Sequence, residues 1–184
     1  MKQIQHIGVL VIALIICLSH TECNEPEESV KNEYGMPIKI ANNTILYKTS
    51  DNTVISFQRE NIFGDAIIVS NKYSDEKGYG MIEFDSDVTE IGAYAFKGTE
   101  LIAVVLPSSV DIIGGSVFER CTKLTTVNIP ESVTKISGGT FYYCVKLSSI
   151  TLHEKVEKIG AGAFTSCYEL NTVYCKAKTP PDCG

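Results

Sequence analysis

The chain has 184 residues, of which 44% are hydrophobic and 21% charged, and this balance excludes general disorder. Its formal net charge is −6, and its Lys and Arg residues form no basic stripe. This argues against nucleic acid and against an anionic membrane surface as partners. The length suits a single domain that follows a short leader.

Residues 1–22 have the layout of an export signal. Lys2 supplies positive charge, and an apolar run of twelve residues follows from Ile7 to Leu18. Because this run is too short to span a bilayer comfortably, we expect a cleaved signal and no transmembrane span. Lipid anchoring at Cys23 remains an alternative that is not favoured, since Glu22 stands where a lipoprotein needs a small residue. The protein is therefore expected to be exported, either secreted or at the cell surface.

The segment before residue 81 has no repeat. Residues 23–43 begin with the acidic run "NEPEE" and are predicted to form a flexible tether. Residues 44–80 contain two pairs of β-rich runs, one around Ser50-Asp51-Asn52 and one around Glu76-Lys77-Gly78, which predict two hairpins. Such a β-rich N-terminal cap would cover the open end of the array that follows it.

Residues 81–175 are built from a repeat of about 23 residues. The clearest marker is a phenylalanine whose copies are spaced by 22, 23 and 23 residues: Phe96, Phe118, Phe141 and Phe164. A leucine follows each of them, and further apolar residues come three and five positions after that leucine. The unit can be written L-x-x-V-x-I-P-x-S-V-x-x-I-G-x-x-A-F-x-x-C.

Each unit predicts one coil of a solenoid. The V-x-I portion alternates as a half-buried strand does, and Pro107 and Pro130 end that strand because proline cannot donate to a ladder. The segments "GAYAF" and "GAGAF" suit one tight helical turn with the Phe facing inward. Since no unit can close its own apolar face, coils should stack about 4.8 Å apart. We therefore predict an α/β repeat solenoid with a parallel sheet on one side, short helical turns at the corners, and a tail over residues 176–184.

The stretch "LTTVNIPESVTKISGGTFYYC" and its copies resemble the BspA-like leucine-rich repeat proteins of host-associated anaerobic bacteria and some parasitic protists. The resemblance covers roughly residues 44–181. It implies an exported, surface-associated protein without enzymatic activity, and some members of the family are adhesins for host matrix proteins or for other bacteria. This chain departs from the commonest leucine-rich repeat, which has an Asn after its strand; Ser109 and Ser132 occupy that zone here, and Lys155 replaces them once.

The cysteines follow the repeat. Cys121, Cys144 and Cys167 all stand three residues after the repeated Phe, where a small apolar thiol suits a corner that faces the core. Inter-coil disulfides and reactive roles remain alternatives. Cys175 occupies a core position of the strand, whereas Cys183 lies in the tail, where it could pair with Cys175, pair with another chain or stay free.

No constellation of residues predicts catalysis, a cofactor or a metal site. No C-x-x-C spacing exists, which argues against zinc. His153 replaces Pro107 and Pro130 at a strand end and is expected to face solvent, on a different side of the coil from Cys144. We therefore expect a protein that is not an enzyme.

The remaining candidate for function is the outward side of the sheet. Its side chains are nearly uncharged and rich in hydroxyl and β-branched groups, and they form two rows: Ala103, Thr126, Ser149 and Thr172 in one, and Val105, Asn128, Thr151 and Tyr174 in the other. Strand propensity alone is one explanation. The other is a flat face that binds a protein or glycan, such as host matrix or another cell-surface protein, with Tyr174 as an anchor.

Two further expectations follow from this arrangement. The last coil has no evident cap, so it could dock onto another chain and serve assembly instead of adhesion. The alternation also predicts that Val127→Asp unfolds the array by burying a charge, whereas Asn128→Asp is tolerated because Asn128 faces outward.

Overall fold

A computed structural model describes residues 30–57, 59–177 and 179–183. The predicted export signal and Cys23 lie outside these ranges. Nothing within them forms a helix with the length and apolarity needed to cross a bilayer. The boundaries that the sequence suggests for the leader, tether, cap and tail remain predictions.

The described residues form twelve β-strands and no helix. The strands, in chain order, are β1 (Thr44–Thr49), β2 (Ile68–Ser74), β3 (Tyr79–Phe84), β4 (Glu90–Ile91), β5 (Leu101–Val105), β6 (Ile112–Ile113), β7 (Thr126–Val127), β8 (Lys135–Ile136), β9 (Ser149–Leu152), β10 (Lys158–Ile159), β11 (Thr172–Cys175) and β12 (Asp182–Cys183).

The first three strands join the solenoid through its own sheet. The sheet order is β2-β3-β1-β5-β7, in which β1 runs antiparallel to both β3 and β5, and β5 runs parallel to β7. The hairpin predicted around Glu76-Lys77-Gly78 is confirmed by the pairing of β2 with β3. The hairpin predicted around Ser50-Asp51-Asn52 is wrong: β1 already has a partner on each edge, so residues 53–57 have no free edge to pair with.

The repeats form stacked coils with short parallel ladders on two sides. On one side β5 pairs with β7 and β9 pairs with β11, and on the other β4 pairs with β6 while β8, β10 and β12 form a three-stranded sheet. Between the coils the four repeated Phe rings are stacked, with centroids 5.5, 5.4 and 5.4 Å apart. The solenoid and its repeat register are therefore as the sequence predicts.

The corners of the coils are not helical, which corrects the prediction of helical turns. Two positions in each corner, two residues before and two residues after the repeated Phe, have positive φ. They are Tyr94, Ser116, Gly139 and Gly162 before it, and Gly98, Arg120, Tyr143 and Ser166 after it. Because a right-handed helix requires negative φ at every residue, these positions restrict the corner to a series of tight turns.

Hydroxyl side chains connect one coil to the next. Ser109 Oγ donates to Val88 O over 2.7 Å, and Ser137 Oγ donates to Ile113 O over 2.6 Å. Ser132 makes the equivalent contact with Val110 O. These serines satisfy backbone carbonyls that the short ladders leave without a partner, as buried polar groups require.

Candidate functional site

The outward rows of the sheet lie where the repeat places them. Ala103 pairs with Thr126, Ser149 with Thr172, and Thr151 with Tyr174 across the parallel ladders. Their exposure is unequal, however. Ser149, Thr151 and Tyr174 are exposed, and Thr126, Asn128 and Thr172 are partly buried. Ala103 and Val105 are only 0% and 3% exposed, so they cannot contact a partner in this conformation.

Residues 30–40 cover Ala103 and Val105. The sequence predicts a flexible tether here, but the structure has a folded loop closed by an antiparallel bridge between Lys31 and Pro37. Met36 of this loop is fully buried in a small apolar cluster on the outer face of the sheet, with Leu46, Ala103 and Val105. The outer face near the cap is therefore part of a second core.

Polar contacts fix the edge of this covering loop. The Tyr34 hydroxyl lies 2.7 Å from Thr125 Oγ1, and Thr126 Oγ1 donates to Glu33 Oε1. The loop thus ends at β7, and the open part of the face begins there. An alternating apolar pattern, "MPIKI", is the sequence signal that could have revealed this segment.

Asn128 points to the neighbouring coil and is used in folding. Its Oδ1 accepts from Leu106 N over 2.7 Å, and its Nδ2 donates to Leu106 O over 2.8 Å. The side chain therefore replaces the backbone pairing that would continue the ladder from β5 to β7. Because both polar groups of the amide are occupied, Asn128 is a structural residue, and the expectation that Asp is tolerated there has to be revised.

A cleft of about 350 Å³ opens on the outer face between β7 and β9. These two strands are neighbours in the stack, but no ladder joins them, so the two parallel sheets on this side are separate. Lining residues include Thr126, Ser149 and Thr151 from the predicted rows, together with His153 and Lys176. The cleft presents hydroxyl, imidazole and ammonium groups, together with the carboxylate of Glu131.

His153 is buried at one end of this cleft, which corrects the prediction that it faces solvent. It is 8% exposed, and its Nδ1 accepts a hydrogen bond from Lys155 N over 3.2 Å. Nε2 has no hydrogen-bond partner among the described residues. An N–H at that position is therefore a buried donor without an acceptor among the described residues, which is a costly arrangement.

The three repeated cysteines form a ladder in the core, as predicted. The thiols of Cys121, Cys144 and Cys167 donate to the carbonyl oxygens of Phe96, Phe118 and Phe141 in the preceding coils, over 2.9, 3.0 and 3.0 Å. Burial raises the pKa of the Cys121 thiol to about 11 and raises that of Cys144 further. All five cysteines of the described residues are free. The three thiols of the ladder are protonated at neutral pH and unsuited to nucleophilic chemistry.

The last coil differs from the others because its interior is open. Val173 occupies the same inward position as Ile150, yet it is 46% exposed where Ile150 is 4% exposed. Cys175 is exposed as well, so its prediction as a core residue is wrong. Strand β12 pairs with β10 on the opposite side of the coil, and Cys183 on it is exposed and free. The end of the stack therefore presents apolar side chains and two thiols.

Comparison with solved structures finds other leucine-rich repeat proteins that are similar to this chain. A leucine-rich repeat protein of T. pallidum is 33% identical over 48% of this chain and 53% of its own, with a TM-score of 0.42. Similar proteins of Bacteroides ovatus and Bacteroides capillosus are 26% and 27% identical over 66% and 74% of this chain and 39% and 96% of theirs, with TM-scores of 0.46 and 0.47. The chain thus spans about half the T. pallidum protein and less of the B. ovatus protein. No curated protein matched.

A family model gives the assignment. The model described as BspA type leucine rich repeat region matches residues 67–179 with 6 copies, which is more than half of the 184 residues. The chain belongs to the BspA-type leucine-rich repeat family.

Proposed function

We propose that this protein is an exported binding module that holds a protein or glycan partner on the open part of its outer sheet face, in the manner of an adhesin. Families of leucine-rich repeats are generally not enzymes, and this repeat type is often found at cell surfaces. Host matrix or another cell-surface protein is the partner class we propose.

The observation that carries the proposal is the cleft between β7 and β9. It lies on the face by which solenoids commonly bind, and it brings Thr126, Ser149 and Thr151 into one lining with His153 and Lys176. Tyr174 stands at the rim on β11 and is 60% exposed, which suits an aromatic anchor. Ala103, Val105 and Asn128 are left out of the proposed surface because folding uses them.

The test is binding of the protein to an array of matrix proteins and glycans, compared with a Thr151→Ala/Tyr174→Ser variant. Tyr168→Ser is the matched control, because Tyr168 is also exposed, at 73%, but lies at a corner away from the sheet face. We expect binding to be lost in the double variant and kept in the control. Equal binding by all three proteins would refute the sheet face as the site.

The open last coil favours a second function, assembly. Val173 is half exposed at an inward position, and a second copy could cover it if two stacks met end to end. Sedimentation over a range of protein concentrations would then show a dimer that Val173→Glu abolishes. A monomer at every concentration would exclude self-association through this end.

A further inference from the structure

A second, larger cleft lies away from the sheet, where the segment after β1 meets the first two corners of the solenoid. Its volume is about 700 Å³, within the range of roughly 300–1,000 Å³ that small-molecule sites occupy. Its polar and aromatic lining consists of Ser56, Arg59, Tyr94, Lys97, Thr99 and Arg120.

The cleft carries a local excess of positive charge on an acidic protein. Arg59, Lys97 and Arg120 line it, although the whole chain has a net charge of −6. The nearby carboxylate of Glu119 lies 2.8 Å from Lys97 Nζ and 4.0 Å from Arg120 Nε. Its hydrogen bond from Lys97 lowers the pKa of Glu119, so the carboxylate is ionised at neutral pH. Three cations against one anion leave the cleft with two positive charges uncompensated by that group.

Arg59 has the least compensated charge. It takes part in none of the ion pairs formed between described residues. Its guanidinium instead lies over the Tyr94 ring, 4.7 Å from the centroid, and Lys97 Nζ lies 5.0 Å from the same centroid. One aromatic ring thus contacts two of the three cations of the cleft, whose positive charge an anion would compensate.

Tyr94 is an unusual residue for its position. It has φ 64° at the corner position where the other coils have Ser116, Gly139 and Gly162, two of them glycines. A large side chain is disfavoured in the left-handed region, and such strain is common at binding sites. Because the ring is partly exposed and contacts the two cations, positioning them accounts for a strained tyrosine where glycine would suit the backbone better.

We propose that this cleft binds an acidic saccharide through its carboxylate or sulfate group. Arg59 and Arg120 would hold the anion, since guanidinium groups match both oxyanions in geometry. Ser56 lies in the same lining, and its hydroxyl suits the hydroxyls of a sugar ring, whereas the Thr99 hydroxyl already donates to Phe96 O. This site is independent of the proposed sheet face.

The experiment is a ¹H–¹⁵N chemical-shift titration of the protein at low salt with glucuronate, sulfated N-acetylglucosamine, neutral N-acetylglucosamine and inorganic sulfate. We expect saturating shifts at Lys97, Gly98 and Thr99 with one or both acidic sugars, weakened by added salt. Whichever acidic sugar binds shows whether the site takes a carboxylate or a sulfate group. No saturation with either acidic sugar, or equal affinity for the neutral sugar or inorganic sulfate, would overturn the proposal.

Charge variants separate the cleft from general charge effects. Arg59→Gln/Arg120→Gln should weaken binding at least about 100-fold, because two charge-assisted hydrogen bonds are lost together. Lys146→Gln/Lys158→Gln makes the same change of net charge at exposed lysines outside the cleft and should weaken binding less than about 2-fold. Equal effects of the two double variants would refute the assignment of the site.

A second pair of variants tests the role of Tyr94. Tyr94→Gly should raise Tm by about 2–4 °C through relief of backbone strain, yet weaken binding of the acidic sugar several-fold. Tyr143→Gly, at another corner tyrosine with positive φ but outside the cleft, should raise Tm without changing affinity. If Tyr94→Gly binds the sugar as well as the native protein does, the proposed positioning role of Tyr94 is wrong.

Discussion

Asn128→Asp tests how the second coil is joined to the first. The substitution keeps the acceptor for Leu106 N but replaces the donor to Leu106 O with a second oxygen. Losing that hydrogen bond costs about 1 kcal/mol, and placing a carboxylate against the carbonyl of Leu106, a residue only 2% exposed, adds about 1–2 kcal/mol. We therefore expect a loss of about 2–3 kcal/mol in the free energy of unfolding at pH 7.

The measurement is urea unfolding of Asn128→Asp beside Thr151→Asp. Thr151 occupies the next position of the same outward row and is exposed, so it receives the same charge without losing a backbone partner, and its cost should stay within about 0.5 kcal/mol. Lowering the pH should narrow the difference, because a protonated carboxyl can donate to Leu106 O again. Equal losses of unfolding free energy in the two variants would refute the role of the Asn128–Leu106 hydrogen bonds in joining the coils. A loss below about 0.5 kcal/mol for Asn128→Asp would refute it as well.

Three further perturbations probe the stack. Phe118→Ala should cost about 3–5 kcal/mol in urea unfolding, because its fully buried ring stacks at 5.5 and 5.4 Å on its neighbours, and a cost below about 2 kcal/mol would contradict this. Alkaline pH should destabilise the fold, because the pKa of Cys121 is about 11 in the folded protein and about 8.5 in the unfolded chain. The contribution of this thiol to stability is complete below about pH 8.5. It is lost as the pH rises toward 11, at about 1.4 kcal/mol per pH unit. Cys121→Ala should reduce that slope by about 1.4 kcal/mol per pH unit and leave the part that is due to Cys144 and Cys167, whose pKa values burial also raises. An unchanged slope would remove the Cys121 thiol as a cause. Val127→Asp should abolish the cooperative unfolding transition, whereas Val173→Asp, at a position that is 46% exposed, should retain it. Similar losses of stability in the two variants would mean that the last coil is closed.

The repeat allowed the stack to be predicted because its positions are coupled by the geometry of stacking. Every coil must place the same residues against the same neighbours, so the register of Phe118 on Phe96 and the ladder of thiols are visible as a period in the sequence. The sequence period does not predict the backbone conformation of the corners. Residues as different as Arg120 and Gly98 share one left-handed conformation, and nothing in their identity reports it.

The parts that could not be predicted depend on contacts outside the repeat. Residues 30–40 are predicted as part of a tether because they follow an acidic run and contain no repeat. Met36 nevertheless packs against Ala103 and Val105. That surface exists only because two outward positions of β5 are apolar where later coils have hydroxyl groups. His153, by contrast, is buried at its own repeat position, where Pro107 and Pro130 are buried as well.

Residues that depart from the repeat are therefore of two kinds: those whose contacts within the stack explain them, and those that stacking leaves unexplained. Asn128 departs from its row and satisfies both backbone groups of a neighbouring coil, so the stack itself accounts for it. Tyr94 departs from its corner position at a cost in backbone strain, and its ring contacts the cations of Arg59 and Lys97. His153 departs from a row of prolines and leaves Nε2 buried without a partner. Stacking explains the first and neither of the other two, which is why the clefts beside Tyr94 and His153 are where we place binding.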